Sequence, residues 1–108
     1  MSMFRFNIRE AAKSPLGILS GHRLCAGCAE PIIVKQVLLA IRGPTIVATA
    51  TGCLEVSTTI YPYTSWNIPW IHVAFENVAA VASGIEAASK ILHKKGISKY
   101  ENIDVIAF

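Results

Sequence analysis

Three cysteines and one glutamate carry most of the chemistry available to this sequence. Cys25 and Cys28 stand as Cys-x-x-Cys within Gly21-His22-Arg23-Leu24-Cys25-Ala26-Gly27-Cys28-Ala29-Glu30-Pro31, and Cys53 closes Ala48-Thr49-Ala50-Thr51-Gly52-Cys53. An odd cysteine count excludes a closed set of disulfides, and a thiol left over beside Cys-x-x-Cys points to metal or redox chemistry. Three uses compete. A thioredoxin-like dithiol needs Cys25 and Cys28 alone, but no apolar strand leads into the motif and Cys53 would stand idle. A structural zinc ion would add His22, His72 or His93, yet zinc sites pair two closely spaced ligand couples and only one couple is present. An iron–sulfur cluster takes four thiolates, so three from this chain would need a cysteine from outside it. Spacing alone does not choose the metal. Glu30 places a carboxylate where the glycine-containing loop enters a helix. Matching the helix dipole is its commoner role there, and a hydrogen bond to a cofactor is its functional one.

The elements that must position these groups read as an α/β pattern. Pro31 suits a first helical turn, and residues 32–41 are apolar on nearly every side except Lys35 and Gln36, which predicts a sandwiched helix. Gly43 and Pro44 end it. The β-branched run 45–51 predicts a buried parallel strand ending at Gly52, where a glycine allows close backbone approach to a ligand. Ligands of open α/β sheets sit outside such carboxyl ends. Residues 60–70 form a proline-stiffened loop with four large aromatics, expected as a lid over the core or a subunit contact. Residues 71–75 read as a second strand and 77–95 as a helix capped by Asn77, with Val78, Val81, Ala82, Ile85, Ala88 and Leu92 on one stripe. Ala80, Ser83, Gly84 and Ala87 form a small-residue stripe, and Gly84 costs about 1 kcal/mol against Ala unless a close contact compensates. Residues 103–108 begin a third strand. His72 reads as a semi-buried strand residue and His93 as part of a cationic helix end, with no catalytic role for either.

Composition narrows the class. The chain has 108 residues, 53% hydrophobic and only 16% charged, with a mean hydropathy of +0.47 and a net charge of +3. No stretch forms a clean apolar helix of about 20 residues, so a buried subunit is expected in place of a membrane protein. The basic residues are scattered apart from His93-Lys94-Lys95, which excludes an extended nucleic-acid footprint. The N-terminus lacks a signal-peptide pattern, so a cytoplasmic location is expected. Residues 1–20 read as an N-terminal arm and 21–108 as one α/β domain.

Four blocks then resemble a known family: Gly21-His22-Arg23-x-Cys25-x-Gly27-Cys28, Ala50-Thr51-Gly52-Cys53-Leu54-Glu55-Val56, Tyr61-Pro62-Tyr63-Thr64-Ser65-Trp66 and Pro69-Trp70-Ile71-His72-Val73-Ala74-Phe75-Glu76-Asn77. In this order they resemble the β subunit of pyruvate:ferredoxin oxidoreductase (pyruvate synthase) over residues 20–108. The resemblance implies an incomplete thiamine-diphosphate-binding α/β fold with a largely parallel sheet flanked by helices. It implies Cys25, Cys28 and Cys53 as three ligands of a 4Fe–4S cluster, with Glu30, Thr51, Gly52 and Cys53 against thiamine diphosphate. The reaction implied is oxidative decarboxylation of pyruvate to acetyl-CoA, with electrons passing through the cluster to ferredoxin. The partners implied are other subunits of a hetero-oligomer, ferredoxin, pyruvate and coenzyme A. The family's Gly-Asp-Gly segment and downstream Asn, which bind the Mg ion, and its fourth cluster cysteine are absent from this sequence. An N-terminal fragment or split piece, inactive alone, is therefore expected. The alternatives are an oxidoreductase for another 2-oxoacid and a non-catalytic metal-binding or assembly module.

Overall fold

The strand β1 (Thr45–Ala50) runs through the middle of the molecule. Its β-branched residues suit a strand covered on both faces, and Val47, Ala48 and Thr49 are all buried. In the computed structural model, which describes residues 7–108, β1 lies between β2 (Trp70–Val73) and β3 (Asp104–Ala107). Both pairings are parallel, with Thr49 opposite His72 and Ala48 opposite Ala107. The α/β class with a parallel sheet, expected from the sequence, is the observed architecture.

The helices are α1 (Ile8–Ala11), α2 (Glu30–Ala40), α3 (Cys53–Thr58) and α4 (Val78–Lys94). Among the described residues, none of them is long and apolar enough to cross a membrane. Of residues 1–20, expected as an arm, the first six lie outside the described residues. The rest includes α1, capped by Asn7, and an anchor in the core: Ile18 is fully buried and bridges to Trp66.

Ile18, Val34, Val47 and Trp66 form the core, flanked by Leu38, Leu54, Ile68, Trp70, Ile106 and Phe108. The aromatic loop divides itself between core and solvent. Trp66 stacks on Trp70 with centroids 6.2 Å apart, whereas Tyr61 and Tyr63 face outward. Each indole N–H has a partner, as a buried indole requires. Trp66 Nε1 donates to Thr58 Oγ1 at 2.9 Å, and Trp70 Nε1 donates to Thr49 Oγ1 at 3.0 Å.

Three expectations need correcting within the described chain. The helix α2 is not sandwiched: Pro31 and Val34 are buried, while Ile32, Ile33 and Val37 are exposed. Asn77 precedes α4 but makes no side-chain capping bond, and its buried Oδ1 has no hydrogen-bond partner. A Cβ built on Gly84 would meet nothing within 4 Å, so the close contact expected there is not supplied by this chain.

Candidate functional site

The polypeptide turns sharply where β1 ends. Thr51 N–H donates to the Val73 carbonyl at 3.0 Å, Gly52 follows in extended backbone (φ 175°), and Cys53 is the first residue of α3. This turn, the first two turns of α2 and the carboxyl end of the sheet line an open crevice of about 330 Å3. Its walls are Glu30, Ile33 and Val34 from α2, the segment Thr49-Ala50-Thr51-Gly52-Cys53-Leu54, and Phe108 just beyond β3. Such a crevice outside the carboxyl ends of parallel strands is the general ligand position in open α/β sheets. Glu30, Thr51, Gly52 and Cys53, far apart in the sequence, thus share one cavity.

Most of the pocket surface is hydrocarbon, contributed by Ile33, Val34, Leu54 and Phe108, with polar groups from Glu30, Thr51 and Cys53 at particular points. That pattern suits an organic cofactor, for which apolar walls supply affinity and a few polar atoms fix orientation. Gly52 contributes free space. Its backbone conformation is open to any residue, and a Cβ placed there would meet nothing within 4 Å. The glycine is therefore not required by the fold around it, and the volume it leaves is available to a ligand.

Cys25 and Cys28 are placed differently. They flank a turn closed by the Cys28 N–H to Cys25 carbonyl bond of 3.0 Å, with Gly27 at φ 80°, a left-handed position that favours glycine. All three cysteines are free thiols, Cys25 and Cys53 exposed and Cys28 half-buried. As donors they suit an iron–sulfur cluster. As arranged they do not cage one: among the described residues, no group of three His, Cys, Asp or Glu side chains is placed to hold a metal ion. His22, in the same loop, has a buried Nδ1 without a hydrogen-bond partner.

His72, expected as a semi-buried strand residue, is exposed, and Glu55 was given no role from the sequence; the structure sets His72 beside both Thr51 and Glu55. His72 Nε2 lies 2.7 Å from Thr51 Oγ1, and His72 Nδ1 lies 3.7 Å from Glu55 Oε1. Glu55 is buried, and Thr59 Oγ1 donates to it at 2.9 Å. The available signal was the period of two along β2, which puts His72 on the same face as Trp70. His93, by contrast, lies in the last turn of α4, as expected for the cationic end.

Comparison with known proteins gives a consistent set of relatives. Pyruvate synthase subunit PorB of Thermotoga maritima is 55% identical over 97 residues, covering 83% of this chain and 30% of the relative. Pyruvate synthase subunit PorB of Methanocaldococcus jannaschii is 57% identical over 88 residues, covering 81% of this chain and 30% of the relative. Ketoisovalerate oxidoreductase subunit VorB of Pyrococcus abyssi is 38% identical over 76 residues, covering 70% of this chain and 24% of the relative. The chain thus spans less than a third of the length of the curated relatives it matches. No family model matches.

Proposed function

By sequence the chain belongs with the N-terminal part of the pyruvate synthase PorB subunits, and on that premise we propose that it is part of a 2-oxoacid:ferredoxin oxidoreductase. Its pocket at the end of β1 would hold thiamine diphosphate. The observation that carries this reading is the convergence of Glu30, Thr51, Gly52 and Cys53 on one largely apolar cavity. Bound there, thiamine diphosphate would supply the electron sink for decarboxylation of a 2-oxoacid.

The chain's own residues would bind and orient that cofactor. Glu30 offers a carboxylate acceptor at the start of α2, and Thr51 offers a hydroxyl on the neighbouring wall. Ile33, Val34, Leu54 and Phe108 offer apolar surface to the cofactor between those polar groups. Gly52 leaves the backbone bare, so a ring can approach main-chain atoms closely.

Cys25, Cys28 and Cys53 are proposed as three ligands of a 4Fe–4S cluster. The fourth thiolate and the Mg ligands would come from polypeptide beyond this sequence. The donor chemistry of three free thiols supports the assignment, although among the described residues they are not grouped to hold a metal ion. The exposed apolar face of α2 (Ile32, Ile33, Val37) supports burial against such polypeptide or the other subunits. Ferredoxin, pyruvate and coenzyme A are the proposed exchange partners. The relative named ketoisovalerate oxidoreductase makes a branched 2-oxoacid the second substrate to test.

The test is anaerobic reconstitution with the remaining PorB-type polypeptide and its partner subunits, assayed for coenzyme A-dependent oxidation of pyruvate and 2-ketoisovalerate. The complete assembly should oxidise one of them, and this chain alone neither. In the same assembly, Glu30→Gln should weaken thiamine diphosphate binding by about tenfold, the loss of one charge-assisted hydrogen bond. Unchanged affinity by calorimetry would remove Glu30 from the site.

A further inference from the structure

The polar contacts behind the pocket form a connected chain. Thr51 lines the cavity, and its Oγ1 lies 2.7 Å from His72 Nε2 and 3.3 Å from the Val73 carbonyl oxygen. Across the imidazole, Nδ1 faces Glu55 Oε1 at 3.7 Å. The Thr59 hydroxyl lies 2.9 Å from that Oε1 and 2.7 Å from the Glu55 carbonyl oxygen, and its single proton is shared between the two acceptors. The imidazole also stacks on Trp70, with centroids 6.3 Å apart and planes 14° from parallel, and Trp70 is pinned through Nε1 to Thr49. The imidazole, 44% exposed, thus has an indole against one face and a buried carboxylate near Nδ1, beyond hydrogen-bond distance, while its one hydrogen bond goes to Thr51.

A threonine hydroxyl has one proton to give. With the ring proton on Nε2, His72 donates to Thr51 Oγ1, and the hydroxyl proton is left for the Val73 carbonyl. Both contacts are then made. With the ring proton on Nδ1, the hydroxyl donates to Nε2 and loses Val73. Either way the 2.7 Å contact selects one direction for the hydroxyl. Without it, Thr51 Oγ1 would retain only the longer 3.3 Å contact with the Val73 carbonyl to set its direction.

We infer that His72 is a positioning residue for this pocket: stacked on Trp70 with Glu55 nearby, it takes up the Thr51 hydroxyl so that a lone pair of Oγ1 is preset to accept from a donor of the bound ligand. Presetting saves the ordering cost that a mobile hydroxyl would impose on binding. The inference takes the ligand's identity, thiamine diphosphate, from the function proposed above, but the His72–Thr51 bond does not depend on it.

Two measurements test it. In the assembled protein with this polypeptide 15N-labelled at histidine, the Nε2 resonance of His72 should shift on Thr51→Val, and an unchanged resonance would overturn the inference. In the assembled protein, titration with thiamine diphosphate should show His72→Leu and Thr51→Val each weakening binding by about tenfold, as one hydrogen bond allows. The double variant should be no weaker than either single one, because both remove the same contact. His72→Gln, which retains a side-chain N–H of similar reach, should bind within about threefold of the unaltered protein. Full affinity in His72→Leu, additive losses in the double variant, or no rescue by His72→Gln would each overturn the positioning role. If the unaltered assembly binds no thiamine diphosphate, the ligand assignment fails, and the imidazole spectra alone decide for or against His72.

Discussion

Cys53→Ser in the assembled protein is expected to remove bound iron and 2-oxoacid oxidation together. Activity should fall by more than the roughly 10–100-fold typical of residues that only support a metal ligand. Cys53 stands at the junction of two proposed sites, lining the strand-end pocket while offering a free thiol to a cluster. Serine preserves size and hydrogen bonding but is a far poorer ligand for iron than thiolate. The side chain is exposed, so the substitution should leave folding intact, and unchanged circular dichroism would separate lost ligation from lost structure. Full iron content in Cys53→Ser would withdraw Cys53 from the cluster. Retained iron with lost cofactor affinity would assign it to the pocket alone.

Trp66→Ala is expected to cost about 3–5 kcal/mol of stability, a large share of the roughly 5–15 kcal/mol that a typical domain possesses. The indole is 6% exposed, packs with Ile18, Val34 and Val47, and stacks on Trp70. Its removal opens a cavity and leaves the buried Thr58 hydroxyl without the N–H that donates to it. Thr58 closes α3, so the loss would reach the helix that carries Cys53. Urea unfolding of the assembled protein checks the figure, and a change below about 1 kcal/mol would contradict the placement of Trp66 in the core. Trp66→Phe, which retains most of the ring packing, should lose less than half as much.

The central strand and the place where it ends were legible because Thr45-Ile46-Val47-Ala48-Thr49-Ala50-Thr51 is β-branched and stops at a glycine. A single strong local signal settled both the element and its end. The helix α3 was not legible. Six residues are too few to display a helical period, and Val56, Ser57 and Thr58 are weak helix formers, so tertiary contacts decide that segment. Ile18 was missed for a similar reason: one isoleucine among Pro15, Gly17 and Ser20 carries no periodic signal, yet it is fully buried. Glu30 and Thr51-Gly52-Cys53 were singled out by residue type and by family resemblance, and the structure adds that they line one cavity. His72 and Glu55 were passed over because a lone histidine in a strand and a lone acid after a glycine say nothing about each other. Their relation depends on the β1–β2 register and the turn into α3. The apolar composition of α2 predicted a sandwiched helix, but Pro31 and Val34 alone are buried in the described chain, because an apolar residue type does not by itself say which face has a neighbour.

The most direct measurement is calorimetric titration of thiamine diphosphate into the assembled protein carrying either Gly52 or Gly52→Val. A Cβ at this position meets nothing of the chain within 4 Å and the extended backbone accepts any residue, so a side chain is accommodated there, and an unchanged melt of the valine variant shows that its γ-methyls are as well. Its branched side chain would occupy space proposed for the cofactor, and affinity should fall by at least about tenfold, equivalent to about 1.4 kcal/mol. Equal affinity in the two proteins would contradict the assignment of the cofactor to the pocket at the end of β1.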